Sequence, residues 1–202
     1  MTIQLVDSIT FEGAIYSIRG VSGEGLFNPE KLGLKIYSFS SACWKGYFCN
    51  YYIQNNILYL ANIVIGLADS NFAQGTPKIC GKEPVRKVRK AHVIRRNMKQ
   101  AELADIESDE YFVENIHTPM EFSGGLVVAA GYDEELIQVF GSTQLSALTL
   151  IELIFDQGKL VKIIDHSKSL VNIRSKATPT VKNYELIAQQ LEQLQSEYEL
   201  DY

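Results

Sequence analysis

Residues 47–65 read YFCNYYIQNNILYLANIVI, and this stretch decides the fold class. Residues 47, 49, 51 and 53 (Tyr, Cys, Tyr and Ile) alternate with Phe48, Asn50 and Tyr52 at the period of two that a pleated strand imposes. The Asn-Asn pair at residues 55–56 favours a tight turn, because asparagine tolerates the positive φ that short hairpins require. The apolar run that follows is rich in β-branched and aromatic residues, so the stretch predicts a strand, a turn and a returning strand.

A later stretch, residues 149–164, has the same plan. A shift of 102 positions places Phe155 on Ile53 and Gly158 on Asn56. Internal similarity of this kind predicts a duplicated β-module.

The two halves also share a Phe-x-Gly opening, at Phe11 and at Phe122. The first opening predicts a strand from Phe11 to Ile18. We expect two antiparallel modules, residues 8–66 and 120–166, that share one core as a sandwich or a barrel, because a small sheet buries too little surface alone.

The composition is that of a globular protein of one domain, residues 1–202. The chain is 46% hydrophobic and 21% charged with a net charge of −5, which excludes a disordered chain, a collagen and a disulfide-stapled miniprotein. The N-terminus lacks the pattern of a secretory signal. The longest apolar stretch, 57–65, is far shorter than the roughly 20 residues of a transmembrane helix. We therefore predict a cytoplasmic protein without a membrane span.

A charged insert, residues 67–119, separates the two modules. Residues 82–99 contain eight Lys or Arg and one Glu, whereas residues 102–114 contain six acidic residues and no basic one. Pro84 is suited to the first turn of a helix. The sequence therefore predicts that the insert is partly helical.

The C-terminal segment, residues 180–199, predicts an amphipathic helix. Apolar residues recur there at spacings of three and four in a sequence otherwise of Gln and Glu. They are Tyr184, Ile187, Leu191, Leu194 and Tyr198.

Two blocks of this sequence resemble an uncharacterised bacterial family with two β-modules. The first block is Cys43-Trp-Lys-Gly-Tyr47 followed by Leu58-Tyr-Leu60, and the second begins at Phe122-Ser-Gly and includes the run 136–141. Members of that family usually have Trp-Glu where this chain has Tyr51-Tyr52. The resemblance implies the duplicated β-rich fold and no activity, cofactor or catalytic residue.

The most distinctive cluster is Trp44, Lys45, Gly46 and Tyr47. One hypothesis places Trp44 and Tyr47 around a small pocket, with Lys45 binding an anion. The alternative is a core tryptophan beside a strand bulge, with Lys45 extending to water.

The sequence predicts no catalytic, metal or cofactor site. Cys43 and Cys49 lie in apolar strand sequence, where cysteine acts as a small hydrophobic residue rather than as an activated nucleophile. The three histidines, His92, His117 and His166, lack the spacing of metal ligands. His166 follows Asp165, but no exposed nucleophile motif accompanies the pair.

The basic segment has three interpretations: a solvated or self-paired insert, a protein-binding arm, or a nucleic-acid contact. Its candidate contact residues are Arg86, Arg89, Arg95 and Arg96. No aromatic residue is interleaved for base stacking, and acidic residues follow at once, which does not favour nucleic acid.

Two functional hypotheses follow. The first is a non-enzymatic protein that binds a protein partner or a second copy of itself through the insert and through Ile187, Leu191 and Leu194 of the C-terminal helix. The second is a small-molecule-binding β-barrel, with or without weak enzymatic activity, whose pocket is lined by Trp44 and Tyr47.

Overall fold

The computed structural model describes residues 4–93, 102–141 and 143–176. The structure is 52% strand and 17% helical, which confirms the mainly β prediction. The predicted helix at 180–199 lies outside the described residues. The strands are β1 (Ser8–Phe11), β2 (Ala14–Glu24), β3 (Tyr47–Gln54), β4 (Ile57–Ile65), β5 (Val85–Val93), β6 (Glu102–Val113), β7 (Thr118–Pro119), β8 (Ser123–Tyr132), β9 (Ala147–Asp156) and β10 (Lys159–Asp165). The helices are α1 (Glu134–Phe140) and α2 (Ser167–Lys176), with short 3-10 helices at Pro29–Leu32, Asp69–Phe72 and Gln144–Ser146.

The chain forms two compact units. The first comprises the described residues within Met1–Val128 and Leu153–Ile163, and the second comprises those within Ala129–Glu152 and Ile164–Tyr202.

In the first unit the strands form a ring in the order β10-β9-β8-β2-β1-β3-β4, and Lys159 of β10 pairs with Ile57 of β4 to close it. β1 pairs antiparallel with β2 but parallel with β3, where the predicted module is antiparallel throughout. The long connection between β2 and β3, residues 25–46, lets the chain pass β1, so that β3 runs opposite to β2 and parallel to β1 on its other edge.

The tips of two hairpins meet at the closure. Each tip is a two-residue turn, Asn55-Asn56 between β3 and β4 and Gln157-Gly158 between β9 and β10, and all four residues have positive φ. Leu160 donates its N–H to the carbonyl of Asn56 at 2.7 Å, and Leu58 donates to the carbonyl of Gly158 at 2.8 Å. The predicted hairpin at 47–65 is therefore confirmed. The duplication itself stays a prediction.

The Phe-x-Gly openings take different conformations in the two halves. Glu12 and Gly13 form the turn between β1 and β2, with φ of 48° and 77°. The predicted strand from Phe11 to Ile18 is therefore wrong, because it is interrupted by this turn. Gly124, in contrast, lies inside β8.

Two glycines allow β2 and β8 to approach closely. Gly23 has a φ of 111° and Gly124 a φ of 139°. A Cβ atom on Gly23 would collide with the carbonyl oxygen of Ser123, and one on Gly124 would collide with the carbonyl oxygen of Ser22. Only glycine satisfies both constraints at once.

The core of the first unit lies on one face of these strands. Ile9, Tyr51, Leu58 and Phe122 are at most 1% exposed. Phe122 packs edge-on against Phe155 with ring centroids 5.8 Å apart. The predicted alternation along β3 is confirmed, since Tyr51 is buried whereas its neighbours are partly exposed.

The insert departs from its prediction. The expected helix after Pro84 is wrong, because residues 85–93 form β5 and pair antiparallel with β6 from Val85↔Phe112 to Val93↔Glu102. The described helical element of the insert is the 3-10 helix Asp69–Phe72. Pairing with the next strand along the chain has overridden a weak helical pattern.

The second unit contains both α-helices. Asp133 caps α1 by accepting the N–H of Leu136 at 3.0 Å. The guanidinium of Arg174 in α2 donates to the carbonyls of Leu145 and Ala147. These bonds attach α2 to the 3-10 helix 144–146 and to the start of β9.

Replacing Gly124 with Ala tests the close approach of β2 and β8. We expect Gly124→Ala to lower the free energy of unfolding by about 3 kcal/mol, because it combines strained φ with steric overlap. Gly75→Ala is the control, since Gly75 has a φ of 108° and no atom within 4 Å of its Cβ position. It should cost roughly 1 kcal/mol. Equal losses in urea-unfolding measurements would contradict the steric constraint.

Candidate functional site

Trp44 lies on the surface, in the turn that precedes β3. Its side chain is 74% exposed, so the alternative of a core tryptophan is wrong. Its backbone N–H donates to Oε1 of Gln4 at 3.1 Å, and Nε2 of Gln4 donates to the carbonyl of Ser41 at 2.8 Å. The N-terminal segment thus fixes the backbone of this turn and leaves the indole in solvent.

Asp7 organises the rest of this turn. Its carboxylate accepts hydrogen bonds from the ammonium of Lys45, at 2.9 and 3.0 Å, and from the backbone N–H of Cys49, at 2.8 Å. The aspartate side chain is 15% exposed, whereas that of Lys45 is 44% exposed. The ammonium of Lys45 is therefore already paired with Asp7 in a partly exposed ion pair, whereas the predicted anion site requires an ammonium that faces a ligand.

Tyr47 lies below Lys45 and faces the interior. The ammonium of Lys45 is 4.2 Å from the centroid of the Tyr47 ring, and Phe27 packs edge-on against that ring at 6.0 Å. Burial raises the pKa of Tyr47 to about 12, and the nearby Cys49 and Asp7 add to the rise. The structure therefore places Lys45 and Tyr47 together and leaves Trp44 on the surface.

The buried cysteines match the structural interpretation. Cys43 is 1% and Cys49 0% exposed. Burial raises the pKa of both thiols, most strongly that of Cys49, whose rise is increased further by Asp7. A raised thiol pKa leaves less thiolate at neutral pH, which is the opposite of what a nucleophile needs.

The insert forms the second candidate site. β6 pairs with β4 through only three residue pairs, Ile63↔Val113, Val64↔Phe112 and Ile65↔Tyr111. Beyond them β5 and β6 continue as a two-stranded arm, which we define as residues 87–93 of β5 and 102–110 of β6. Among the described residues, β5 is the last strand of the sheet order.

Aromatic and ionic contacts fix the base of the arm. Arg86 lies 4.7 Å above the ring of Tyr111 and 3.7 Å from the carboxylate of Glu107. Tyr111 in turn stacks on Phe72 at 5.2 Å. The hydroxyl of Tyr37 donates to the carbonyl of Asp109 at 2.7 Å. These contacts attach the arm to the loops that surround it.

Lys87 is also engaged at the base. Its ammonium contacts the carboxylate of Glu114 at 2.5 Å and lies 4.2 Å from the ring of Phe112. Its backbone N–H donates to the hydroxyl of Ser108 at 3.1 Å, where the register of β5 and β6 shifts. Part of the basic charge is therefore paired within the chain.

The predicted partner-binding residues divide into two groups. Arg86 and Arg89 lie in β5, where Arg89 is opposite Ile106 of β6. The others lie outside the described residues: Arg95, Arg96, Ile187, Leu191 and Leu194.

Sequence reasoning missed the role of Asp7, because nothing local in the sequence connects it to residues about 40 positions away. It also missed Val85 and Val88, which are 54% and 61% exposed on β5. A strand assignment for residues 85–93 would have identified both as edge-strand residues.

The second unit contains a histidine–glutamate pair, His166 and Glu152. Nε2 of His166 lies 3.0 Å from Oε2 of Glu152, and the two side chains are 12% and 11% exposed. Asp165 accepts the N–H of Ser167 instead, and the hydroxyl of Ser167 together with this N–H lowers the pKa of its carboxyl group. Asp165 therefore caps the start of α2, and Glu152 is the carboxylate in contact with His166.

An open depression of about 290 Å³ lies elsewhere on the first unit. Asn71 is tied there to the backbone of Lys35 through both its amide oxygen and its amide nitrogen. Neither Trp44 nor Tyr47 lines this depression. Its lining residues are Gly33, Leu34, Lys35, Ser70, Asn71, Ala73 and Gln74.

The described part of the chain holds no group of three or more metal-ligating side chains. Within the same residues, no helix has the length and apolar character needed to cross a membrane. The chain matches no protein-family model, and neither the curated proteins nor the solved structures contain a similar protein. The resemblance to a bacterial two-module family stays a prediction.

Asp7→Ala tests the organisation of the Trp44 turn. We expect a loss of about 2 kcal/mol in unfolding free energy, because the buried N–H of Cys49 loses its acceptor. Lys45→Met should cost under about 1 kcal/mol, since it removes only a partly exposed ion pair. A larger loss for the lysine variant in urea unfolding would contradict the assignment of Asp7 as the organising group.

The buried thiol of Cys49 predicts a loss of stability at alkaline pH. The unfolded chain releases this proton near the ordinary thiol pKa of 9.0, whereas burial raises the pKa in the folded state. Stability is therefore fully present below pH 9 and falls as the pH rises, by about 1.4 kcal/mol per pH unit for one proton. Cys49→Ala should reduce this slope between pH 9 and 10, below the ordinary pKa of tyrosine, and the slope that remains comes from Cys43 and Cys80, whose pKa values burial also raises.

Cys80→Ala is the matched control for that slope. Burial also raises the pKa of Cys80, but this residue is only partly buried. Its removal should change the slope less than Cys49→Ala does. If the unfolding free energy of Cys49→Ala has an unchanged slope with pH, the Cys49 thiol is ionised equally in the folded and unfolded states.

Proposed function

We propose that this protein is a cytoplasmic, non-enzymatic interaction protein that binds another protein through the arm. The observation that carries the proposal is the change in pairing along β6. Residues 111–113 belong to the sheet through β4, whereas residues 102–110 pair with β5 alone among the described strands. Strand edges left without a neighbour are ready templates for a further strand.

The base of the arm supports the same proposal. The stack of Arg86 on Tyr111 and of Tyr111 on Phe72 orders the point where the arm leaves the sheet. Ordering the base before binding reduces the entropy lost when a partner docks. The three free cysteines are consistent with a reducing compartment.

A second candidate function is small-molecule binding at Trp44, Lys45 and Tyr47. The exposed indole of Trp44 favours it, because an accessible aromatic face is a common stacking surface. The ion pair of Lys45 with Asp7 makes it the weaker candidate.

Shortening the arm tests the proposal. Arg86 and Tyr111 are paired directly across the two strands, so an Asn-Gly turn can replace residues 87–110 and close the hairpin there. We expect this variant to keep its circular dichroism spectrum and cooperative unfolding. Proteins cross-linked to the full chain in lysate of the source cell should be lost from the shortened chain.

The matched control is Trp44→Ala, which should keep the same cross-linked proteins. The proposal would be contradicted if the full chain, the shortened chain and Trp44→Ala all recovered the same cross-linked proteins. It would also be contradicted if none of the three recovered any. Loss of the partner in Trp44→Ala alone would favour the second candidate. Because Trp44 is the only tryptophan, its emission should stay unchanged when a partner binds the arm.

A further inference from the structure

We infer that the segment bound by the arm is an acidic, extended strand that pairs with the outer edge of β5. This inference rests on the proposed function and names the chemistry of its partner. It combines two observations. β5 is the last strand of the sheet order among the described strands, and basic residues lie in β5 whereas acidic residues lie in β6.

The outer edge of β5 offers main-chain hydrogen bonds. Alternate residues of a strand direct their N–H and C=O groups to opposite sides, and the described residues place a neighbour, β6, on one side only. The N–H of Lys87 points inward, to the hydroxyl of Ser108. The opposite edge can therefore accept an added strand.

The charge of β5 selects the partner. Within Val85–Val93 the ionised residues are all basic, whereas those of β6 are all acidic. A strand added to β5 would lie about 4.8 Å from β5 and about 10 Å from β6. Because the Debye length is about 10 Å at 0.1 M salt, the nearer basic strand dominates the field at that position. The basic residues are Arg86 and Lys87, which already contact Glu107 and Glu114, together with Arg89 and Lys90.

The same charges argue against a second copy of this chain. Pairing β5 with its own copy would place lysines and arginines opposite one another, which is destabilising. Pairing β5 with β6 of a second copy would be a head-to-tail contact, which builds larger rings or open filaments rather than a symmetric pair. A segment of a different protein meets neither difficulty.

Two exposed valines of β5 indicate which residues the partner strand carries besides its acidic ones. Val85 and Val88 are 54% and 61% exposed on β5. β-Branched residues on an added strand would pair across with them favourably. The partner class is therefore an extended segment that combines Asp or Glu with Val, Thr or Ile.

The test uses synthetic peptides with the full chain. The probe is a peptide of about nine residues, the length of β5, with alternating Glu and Val and a fluorescent label. Its matched control carries Gln in place of Glu, and a third peptide carries N-methyl groups on alternate amides. At low salt we expect the Glu peptide to bind at least about tenfold tighter than the Gln peptide, with the difference largely lost at 1 M salt. N-methylation should abolish binding.

The remaining outcomes are decisive. Equal binding of the Glu and Gln peptides, or undiminished binding after N-methylation, would overturn the inference. So would tighter binding of a single-stranded DNA oligomer, or dimers of the chain alone in sedimentation. If the shortened arm still loses its cross-linked partner while the peptides bind equally, the proposed function stands and only the acidic-strand inference fails. The shortened chain should bind none of the peptides.

Discussion

The closure of the ring of strands at Gly158 is the constraint on which the first unit depends. The N–H of Gly158 donates to the carbonyl of Phe122 at 2.7 Å, and its carbonyl accepts the N–H of Leu58 at 2.8 Å. Any Cβ at this position would collide with the carbonyl oxygen of Met120. Gly158 is therefore hydrogen-bonded both to Phe122, just before β8, and to Leu58 of β4. These two bonds position the start of β10 against β4.

The arm is a consequence of that closure. The edge of β4 opposite β3 is divided among three neighbours: Ile57 pairs with β10, residues 59–60 pair with β7, and residues 63–65 pair with β6. Only three residues of β4 are left for β6, although β6 is 12 residues long. β5 pairs with the other edge of β6, including residues 111–112 that also pair with β4, so the competition for β4 leaves residues 102–110 with β5 alone as a two-stranded arm among the described strands.

The Trp44 turn shows how little local sequence says about exposure. Its aromatic residues look alike in the sequence, yet Tyr47 packs against Phe27 while Trp44 is exposed. Asp7 makes the difference, because it holds Lys45 over Tyr47 and bonds the backbone of Cys49. A contact across about 40 residues leaves no periodic signal.

The sequence by itself determined the elements whose causes are local. Alternation and the Asn-Asn turn predicted the hairpin of β3 and β4, and apolar surroundings predicted that Cys43 and Cys49 are buried. The tertiary structure alone decided the parallel pairing of β1 with β3, the exposure of Trp44 and the extent of the arm. The pairing and the arm depend on which strand edges are already occupied, and the exposure of Trp44 depends on the contacts of Gln4 and Asp7 with its turn. These contacts join residues far apart in the sequence, whereas propensity and periodicity report only on neighbours.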